Sequence, residues 1–359
     1  NGKKVENAVL MFSLLRPFIF NLDPETAHDL AIKSLKFNFL PESLLSVENE
    51  EMLKTNLFGK EIKNPIGLAA GFDKSAEVYN KMFKLGFGFI EVGTVTPEKQ
   101  YGNQKPRMFR LEKDHALINR LGFNNDGAAI VKKRIENNIP NSLLGINIGP
   151  NKDTTNMIYD FLKCGEIFFP LGDYITINIS SPNTEGLRDF HKGKILKELL
   201  FKINEIRKKS NFNKFFALKI SPDLEDSYIG EITNLILEYK IDSVILTNTT
   251  DKNRDNLFDE KKKEKGGLSG KPLRDISTEF IKRFYKDLRG KIPIIGVGGI
   301  DSGQSAFEKI AAGASAVQLY TGLIYKGPTI VKEIKKGLVD ILKEKGFNNI
   351  VEAVGSSSN

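Results

Sequence analysis

Apolar runs alternate with longer amphipathic runs along most of the chain, starting near residue 64. The apolar runs are short and rich in β-branched residues, as buried strands are, whereas the longer runs have helical periodicity. Strands are predicted at 64–70, 89–95, 143–149, 174–180, 215–221, 243–249, 292–298 and 316–321. Helices are predicted between them at 75–85, 125–138, 154–164, 193–209, 226–239, 274–288 and 302–312, and after the last strand at 328–345.

Eight strand–helix repeats with nearly continuous apolar strands indicate parallel strands covered by helices. Eight is also the number of strands that closes a (β/α)8 TIM barrel. An open doubly wound sheet is the alternative, but no Gly-x-Gly-x-x-Gly motif with an acidic ribose ligand follows the first strand. We therefore predict an α/β fold, with a barrel at 49–354, a small N-terminal helical extension at 1–48 and a disordered tail at 355–359.

The N-terminal extension is predicted to contain two short helices. Residues 9–20 are apolar but contain Arg16, and a membrane-spanning helix needs about 20 apolar residues. Asp23 and Pro24 are typical of the N-cap and the first position of a second helix. Helices in which Arg and Lys are mixed with Phe and Leu suit a segment that lies in a membrane surface. A helical lid packed on the barrel explains the same pattern equally well.

Composition narrows the possible partners. The chain of 359 residues has a formal net charge of +8 from scattered lysines, which suggests general attraction to acidic surfaces or only a lysine-rich coding bias. No cluster of Arg and aromatic residues marks a nucleic-acid interface, so no nucleic-acid partner is predicted. The single Cys164 excludes an internal disulfide, and no Cys/His spacing suggests a metal site.

Polar residues concentrate where the predicted strands end. The strand at 174–180 runs into Ser181 and Asn183, and Pro182 cannot continue it because proline has no backbone N–H. In (β/α)8 barrels the catalytic groups lie at the C-terminal ends of the strands. The stretch around Ser181 is therefore predicted to form part of a catalytic rim.

Two glycine-rich strand ends indicate a phosphate site. Residues 296–299 (Gly-Val-Gly-Gly) follow the seventh predicted strand and residues 320–322 (Tyr-Thr-Gly) follow the eighth. Barrels bind phosphate at this position, where glycines let backbone N–H groups approach the oxygens closely. One such cluster could be a tight turn, but two on adjacent strands predict a phosphorylated ligand or cofactor.

The residues at the remaining strand ends are compatible with several kinds of reaction or ligand. Lys74 and Lys219 are predicted to point inward, where a lysine needs an anion or could form a Schiff base, as in a lyase or aldolase. Asparagines at the other ends carry donors and acceptors that suit a planar heterocycle. In the stretch at 175–184, hydroxyls are the only groups that could accept a proton. A catalytically silent barrel that binds a phosphorylated ligand is a third alternative.

Several motifs, spread over essentially the whole chain, occur together. They are residues 22–28 (Leu-Asp-Pro-Glu-Thr-Ala-His), 70–74 (Ala-Gly-Phe-Asp-Lys), 119–125, 178–184 (Asn-Ile-Ser-Ser-Pro-Asn-Thr) and 266–270. In this order and spacing the sequence resembles dihydroorotate dehydrogenase of the membrane-associated, quinone-dependent class. The resemblance implies oxidation of (S)-dihydroorotate to orotate in de novo pyrimidine (UMP) biosynthesis, with FMN accepting a hydride from C6 and a quinone as the final acceptor. It also implies that Ser181 removes the proton from C5, at a position where the soluble class has a cysteine.

The same resemblance implies binding roles for further residues. It implies one FMN per chain, bound by Ala70, Thr94, Asn147, Asn178, Lys219, Thr247, Gly270, Gly299, Tyr320 and Thr321. It implies substrate contacts at Lys74, Asn119, Arg120, Leu121, Gly122, Phe123, Asn178, Asn183, Asn248 and Thr249. Lys74 would bind the orotate carboxylate, and Lys219 would lie near the pyrimidine end of the flavin, where negative charge collects on reduction.

His28 and Arg110 match the quinone site of that family. The alternatives are that His28 only occupies a position in a helix and that Arg110 forms an ion pair. The resemblance further implies a monomer that associates peripherally with a membrane through its N-terminal helices. The expected location is the cytoplasmic face of a bacterial inner membrane, with the mitochondrial inner membrane as the alternative.

Overall fold

Helices and strands make up most of residues 12–37, 50–209 and 215–358, the residues that the computed structural model describes. The helices in these ranges are α1 (residues 12–20), α2 (Pro24–Lys36), α3 (Tyr79–Lys84), α4 (Ala128–Glu136), α5 (Met157–Phe168), α6 (Gly193–Lys209), α7 (Asp226–Glu238), α8 (Arg274–Leu288), α9 (Gly303–Ala311), α10 (Thr321–Lys326) and α11 (Ile330–Lys345). The strands are β1 (Thr55–Leu57), β2 (Lys60–Ile62), β3 (Ile66–Leu68), β4 (Phe89–Val95), β5 (Met108–Leu111), β6 (Ala116–Asn119), β7 (Leu143–Ile148), β8 (Tyr174–Asn178), β9 (Phe215–Ile220), β10 (Ser243–Leu246), β11 (Gly267–Gly270), β12 (Ile294–Val297) and β13 (Ala316–Leu319).

Eight of the strands close into a parallel barrel in the order β10, β12, β13, β3, β4, β7, β8 and β9. Each of them lies within one of the predicted windows, and the predicted (β/α)8 fold is confirmed. Every residue of β4, β7 and β8 is buried, because the helices cover one face of these strands and the barrel interior covers the other.

The helices cover the barrel through periodic apolar faces. In α11, the buried Ile334, Leu338 and Leu342 recur every four residues and belong to the main core. Helices α9 and α11 meet at backbone contact, because a Cβ atom on Gly303 would lie 2.6 Å from the Cα of Gly337. Only glycine permits this approach, which brings α9 close to the start of the barrel's last strand.

An apolar layer closes the N-terminal end of the barrel. Phe89, Leu143 and Ile245 pack there with Tyr174. Phe58, in the turn of the antiparallel β1–β2 hairpin, stacks on Tyr174 with the ring centroids 4.5 Å apart. This packing leaves the C-terminal ends of the strands as the side where a ligand can enter.

A three-stranded antiparallel sheet of β5, β6 and β11 lies over the C-terminal end of the barrel. The sequence indicates only that residues 97–124 and 250–273 exceed what the barrel repeat requires. The structure shows that these two sections pair with each other through β6 and β11. The sections that the barrel does not need therefore build a wall of the candidate site.

Helices α1 and α2 are attached to this sheet by polar contacts. Asp23 caps α2 as predicted, because its carboxylate accepts the N–H groups of the first turn. The buried Glu25 forms an ion pair with Arg107, at 2.6 Å from Oε1 to Nη2 and 3.0 Å from Oε2 to Nε. Arg110 donates to the backbone carbonyls of Ile19, at 3.3 Å, and Leu22, where α1 ends. None of the helices in the described ranges has the length and apolar run needed to cross a bilayer.

The C-terminal tail differs from the predicted disordered segment. The N–H of Gly355 donates to the carbonyl of Ile310 at 3.0 Å, and that of Ser357 donates to Ala311 at 2.9 Å. The carbonyls at the end of α9 lack partners within the helix, and the tail satisfies them. Residues 1–8 and the predicted domain boundary between 48 and 49 lie outside the described residues.

Candidate active site

A cavity opens at the C-terminal ends of the barrel strands, against the β5–β6–β11 sheet. We call it the first cavity. Most of the residues that the family resemblance indicates line it, although they come from almost the whole length of the chain. They are Ala70, Lys74, Thr94, Asn119, Leu121, Gly122, Phe123, Asn178, Ser181, Asn183, Lys219, Thr247, Asn248, Thr249, Gly270, Gly299, Tyr320 and Thr321.

Asn147 and Arg120 lie outside the lining of the first cavity. Asn147 is one layer deeper in the barrel, and its Oδ1 accepts a hydrogen bond from Thr94 Oγ1 at 2.6 Å. Arg120 follows Asn119 at the end of β6 and points the opposite way, as neighbouring residues of a strand do. Its guanidinium pairs with Glu264 at 2.7 Å and stacks over the ring of Phe109.

Ser181 is buried directly after β8, on the segment that Pro182 turns away from the barrel. Its Oγ accepts the backbone N–H of Asn183 at 3.2 Å. The Asn183 side chain in turn donates to the carbonyl of Asn119 at 3.1 Å, across the cavity mouth. The hydroxyl is therefore fixed in place, and a donor stabilises negative charge on its oxygen.

A chain of amides and hydroxyls fixes the side chains next to Ser181. Asn178 Nδ2 donates to Thr94 Oγ1 at 3.0 Å, and Asn178 Oδ1 accepts the hydroxyl of Ser180 at 2.8 Å. Asn248 Nδ2 donates to the same Ser180 oxygen at 2.9 Å. Three barrel strands, β4, β8 and β10, thus hold their terminal polar groups in one hydrogen-bonded network.

A buried charged layer lies below the first cavity. The Glu91 carboxylate accepts hydrogen bonds from Asn147 at 2.7 Å, from the Tyr174 hydroxyl at 3.0 Å and from Gln318 at 3.0 Å. Burial lowers the pKa of Lys219, and the nearby Glu91 charge partly opposes this shift. The carboxylate is therefore the counter-charge that allows a buried lysine at the floor of the cavity.

The glycine-rich ends of β11 and β12 form the narrow end of the first cavity. A Cβ atom on Gly299, which has φ +70°, would lie 2.6 Å from Arg274, and one on Gly270, with φ +96°, would lie 2.4 Å from the carbonyl of His115. The chain can pass here only because both residues are glycine. Bare backbone suits a phosphate, and the end of β12 is one of the two strand ends for which the sequence predicts one, the other being the end of β13.

A second cavity lies between the N-terminal helices and the β5–β6 hairpin. Its lining is mostly apolar, and His28 and Arg110 are among the few polar side chains in it. Arg110 binds backbone carbonyls at the end of α1, so the predicted alternative of an ion pair is not what the structure shows. Met108 and Leu117 line both cavities and form the wall between them.

His28 and Lys74 connect the two cavities. His28 faces the second cavity and Lys74 the first, and Nε2 of the histidine lies 3.5 Å from Nζ of the lysine. Burial lowers the pKa of Lys74 to about 8. Burial, and then the Lys74 charge, hold the pKa of His28 well below its usual value. His28 is therefore neutral at pH 7 and can accept a hydrogen bond from the ammonium group.

The sequence matches the family model for dihydroorotate dehydrogenase over residues 52–342. The chain belongs to the dihydroorotate dehydrogenase family. The mitochondrial dihydroorotate dehydrogenase (quinone) of Mus musculus is 44% identical over 347 residues, which cover 93% of this chain and 87% of that protein.

Further members of the dihydroorotate dehydrogenase family are equally similar. The dihydroorotate dehydrogenase (quinone) of Idiomarina loihiensis is 47% identical over 331 residues, covering 90% of this chain and 99% of that protein. The crystal structure of ligand-free DHODH from Eimeria tenella superposes with a TM-score of 0.89 at 39% identity, covering 94% of this chain and 100% of that one.

Sequence reasoning missed Glu91 and Gln318 in this member of the family. Both are polar residues in the middle of barrel strands that are otherwise apolar (Phe-Ile-Glu-Val and Ala-Val-Gln-Leu). A charged or amide side chain at the centre of a predicted buried strand was the signal that could have found them.

Cys164 is free and buried in α5, and burial raises the pKa of its thiol. A buried thiol with a raised pKa is a packing group and not a nucleophile. Within the part of the chain that the structure describes, His, Cys, Asp and Glu side chains form no group of three that could hold a metal ion.

Proposed function

We propose that this member of the family oxidises (S)-dihydroorotate to orotate in the first cavity, as a step of de novo UMP biosynthesis. FMN is the proposed hydride acceptor and a quinone the final electron acceptor. The observation that carries the proposal is the position of Ser181, whose hydroxyl shares a cavity with Lys74, Lys219 and several amides at the rim of a barrel.

Ser181 is the proposed base that removes the proton from C5 of dihydroorotate. A serine hydroxyl is a weak base, so the site must stabilise the charge on Oγ while Oγ takes the C5 proton and the hydroxyl gives its own proton to a water molecule, which carries it to solvent. The N–H of Asn183, 3.2 Å from Oγ, supplies this stabilisation. Burial of Ser181 keeps bulk water from competing for the hydrogen bond.

The proposed substrate contacts follow from charge and hydrogen bonding. The Lys74 ammonium would bind the substrate carboxylate, and this anion would raise the pKa of the lysine back toward its usual value. Asn119, Asn178, Asn183 and Asn248 offer donors and acceptors for the C=O and N–H groups of the ring. Leu121, Gly122, Phe123 and Thr249 are the remaining proposed contacts. Arg120 lines a separate small pocket beside Asn183 and is paired with Glu264, so it is not a direct contact in this structure.

FMN fits the rest of the first cavity. Two buried atoms among the described residues, Gln318 Oε1 and the Tyr320 hydroxyl oxygen, have no hydrogen-bond partner in the protein, and a flavin ring carries groups that could pair with them. FMN bound there would supply the acceptor for the hydride from C6 of the substrate and the route for electrons to the quinone. The proposed contacts are Ala70, Thr94, Asn178, Lys219, Thr247, Gly270, Gly299, Tyr320 and Thr321, with Asn147 acting through Thr94.

The second cavity is the proposed quinone site, with His28 and Arg110 as its polar contacts. Exposed Leu14, Phe18 and Phe37 on and next to α1 and α2 suit a surface that dips into lipid acyl chains. We infer a monomer associated peripherally with a bacterial inner membrane on its cytoplasmic face, or with a mitochondrial inner membrane, since bacterial and mitochondrial relatives are equally similar.

The test separates flavin reduction from quinone reduction. Purified protein should be yellow, and anaerobic dihydroorotate should bleach it. Ser181→Ala should keep its FMN and lower the bleaching rate by about 10²- to 10⁴-fold. Ser243→Ala, at the opposite end of the barrel, should bleach at the wild-type rate. A wild-type rate in Ser181→Ala would remove Ser181 from the mechanism. Colourless protein that borohydride traps with a carbonyl substrate at Lys219 would favour a lyase.

A further inference from the structure

The side chain of Arg188 joins the two segments that carry the proposed catalytic base and the proposed substrate amides. Its Nε donates to the carbonyl of Ser180 at 3.2 Å, and its Nη2 donates to the carbonyl of Thr249 at 3.1 Å. The first carbonyl belongs to the peptide group that leads into Ser181. The second belongs to the residue after Asn248. One planar guanidinium therefore sets the distance between the two segments.

Two carboxylates bind Nη1, the third nitrogen of the guanidinium. Nη1 lies 3.0 Å from Asp223 Oδ2 and 3.2 Å from Asp251 Oδ2. Asp223 also accepts the N–H of Asp251 at 3.1 Å and the hydroxyl of Thr250. The anchor is thus built from the loops after β9 and β10, and the Arg188 side chain is largely buried against it, with 23% of its surface exposed.

The segment that Arg188 holds takes its support from side-chain hydrogen bonds, those of Asn178 and Asn248 to Ser180 among them, and not from a backbone ladder. Residues 179–186, between β8 and the 3-10 turn at Leu187–His191, form neither helix nor strand. A loop without a backbone ladder takes its position from the side chains that bind its carbonyls. His191 ties down the far end of the turn, because its ring accepts the N–H of Ser221 at 3.4 Å. Near Ser181, the side chain of Arg188 connects this segment to the loop after β10.

We propose that Arg188 is a positioning residue that keeps the hydroxyl of Ser181 in register with the substrate held by Asn248 and Thr249. This inference rests on the proposed function of Ser181. The physical reason is that proton transfer needs the base within hydrogen-bond reach of C5, and a displacement of about 1 Å can slow such a step by about 100-fold. Arg188 touches neither reactant and acts through the two backbone carbonyls.

The experiment compares Arg188→Ala with Arg207→Ala in the FMN-loaded protein. Arg207 is a matched control, because it is equally buried, with 22% of its side chain exposed, and bonds both oxygens of Asp242 at the opposite end of the barrel. Both variants should lower the Tm to a similar extent. Only Arg188→Ala should slow flavin reduction at saturating dihydroorotate, by about 10- to 100-fold. Arg188→Lys keeps the charge but not the planar fork, and should recover only part of the rate.

A kinetic isotope effect separates positioning from stability. With dihydroorotate deuterated at C5, the isotope effect on flavin reduction should rise in Arg188→Ala, because proton removal becomes the slower event, and should stay at the wild-type value in Arg207→Ala. Equal rates and equal isotope effects in the two variants would overturn the proposal. If Arg188→Ala does not fold, Asp251→Asn removes one of the two carboxylates that bind Arg188 and should give the same changes in smaller size. An unchanged rate and isotope effect in Asp251→Asn would then overturn the proposal.

The outcome for Arg188 is distinguishable from that for the proposed function. Ser181→Ala reducing flavin at the wild-type rate would reject the proposed base, and with it the positioning role. An inactive Ser181→Ala together with a fully active, folded Arg188→Ala would reject the positioning role alone.

Discussion

The two cavities of this protein are neighbours but differ in the side chains that line them. The first is surrounded by the ends of parallel barrel strands, and its lining includes lysines, amides and hydroxyls, of which the amides of Asn178 and Asn248 are joined by hydrogen bonds to Ser180. The second is enclosed by two surface helices and a hairpin, and its lining is mostly apolar. The difference matches two demands, since proton and hydride transfer need groups held within tenths of an ångström, whereas an apolar ligand needs a dry, adaptable space.

The comparison also shows where the structure is easiest to change. The strand ends belong to the barrel and cannot move without it. The N-terminal helices are attached by a few polar links, of which the buried pair between Glu25 and Arg107 and the bonds from Arg110 to the end of α1 are the main ones among the described residues. Substitutions should therefore affect the two cavities separately.

Among the changes that should affect only one of the two cavities, Glu25→Ala is expected to have the largest effect. It leaves the Arg107 charge buried without its partner, which costs about 3 kcal/mol and should loosen α2. Hydrogen exchange should speed up in residues 24–36 while the barrel strands stay protected. Asp29→Ala, on the exposed side of α2, is the control. Equal protection of α2 in the two variants would show that the ion pair does not attach the helix.

Lys74→Met tests the first cavity from the side of the substrate. Loss of a charged hydrogen bond to the substrate carboxylate should raise the Kd of orotate by about 100-fold. A titration of the flavin spectrum with orotate measures it, and Lys152→Met, on an exposed lysine, should bind as the wild type does. An unchanged Kd in Lys74→Met would place the carboxylate elsewhere.

Deletion of residues 1–45 removes one wall of the second cavity and leaves the barrel intact. Quinone turnover should fall by about tenfold, the loss of about 1.4 kcal/mol of binding, while flavin reduction by dihydroorotate should keep its rate. Steady-state assays with a quinone and anaerobic bleaching measure the two separately. Unchanged quinone kinetics would refute a role for the helices in quinone access.

The last effect, similar in size to that of the deletion, concerns the barrel wall, where Lys309 is wholly buried. Its ammonium donates to the carbonyl of Arg274 at 3.1 Å and to the hydroxyls of Ser277 and Thr278. Burial, with the Arg274 charge added, lowers the pKa of Lys309 to about 7. An unfolded lysine has a pKa of about 10.4, so between these values the unfolded chain binds the extra proton and stability rises with pH.

Urea unfolding at pH 7 and pH 9 measures this effect. The wild type should gain about 1–2 kcal/mol between the two pH values from Lys309, and Lys309→Met should lose that gain. An equal pH dependence in the wild type and the variant would mean that Lys309 stays protonated in the folded protein. The rigid barrel would then hold a buried cation on neutral acceptors alone.

The barrel could be predicted from the sequence because its strands are buried on both faces. Near-continuous apolar runs such as β4 and β8 give a strong signal, and their polar ends mark the rim. The family resemblance then supplied the roles proposed for the rim residues, among them Ser181 and Lys74. The lysine, amide and glycine patterns alone had left a lyase and a silent barrel open.

The parts that could not be predicted depend on single-residue geometry or on tertiary pairing. Arg120 leaves the cavity because it is one residue past Asn119, and such a step reverses the direction of a side chain. The β5–β6–β11 sheet was missed because β11, with its two glycines, gains its order from pairing with β6. The tail at 355–358 is ordered through the end of a helix that precedes it by more than forty residues.

The side chains of Met108 and Leu117 form a wall, one side chain thick, between the two cavities. A water-soluble reactant and a lipid-soluble one can thus occupy the protein at the same time without meeting, and electrons need to cross only that thin screen. Inhibitors that fill either chamber should therefore be non-competitive with the reactant of the other.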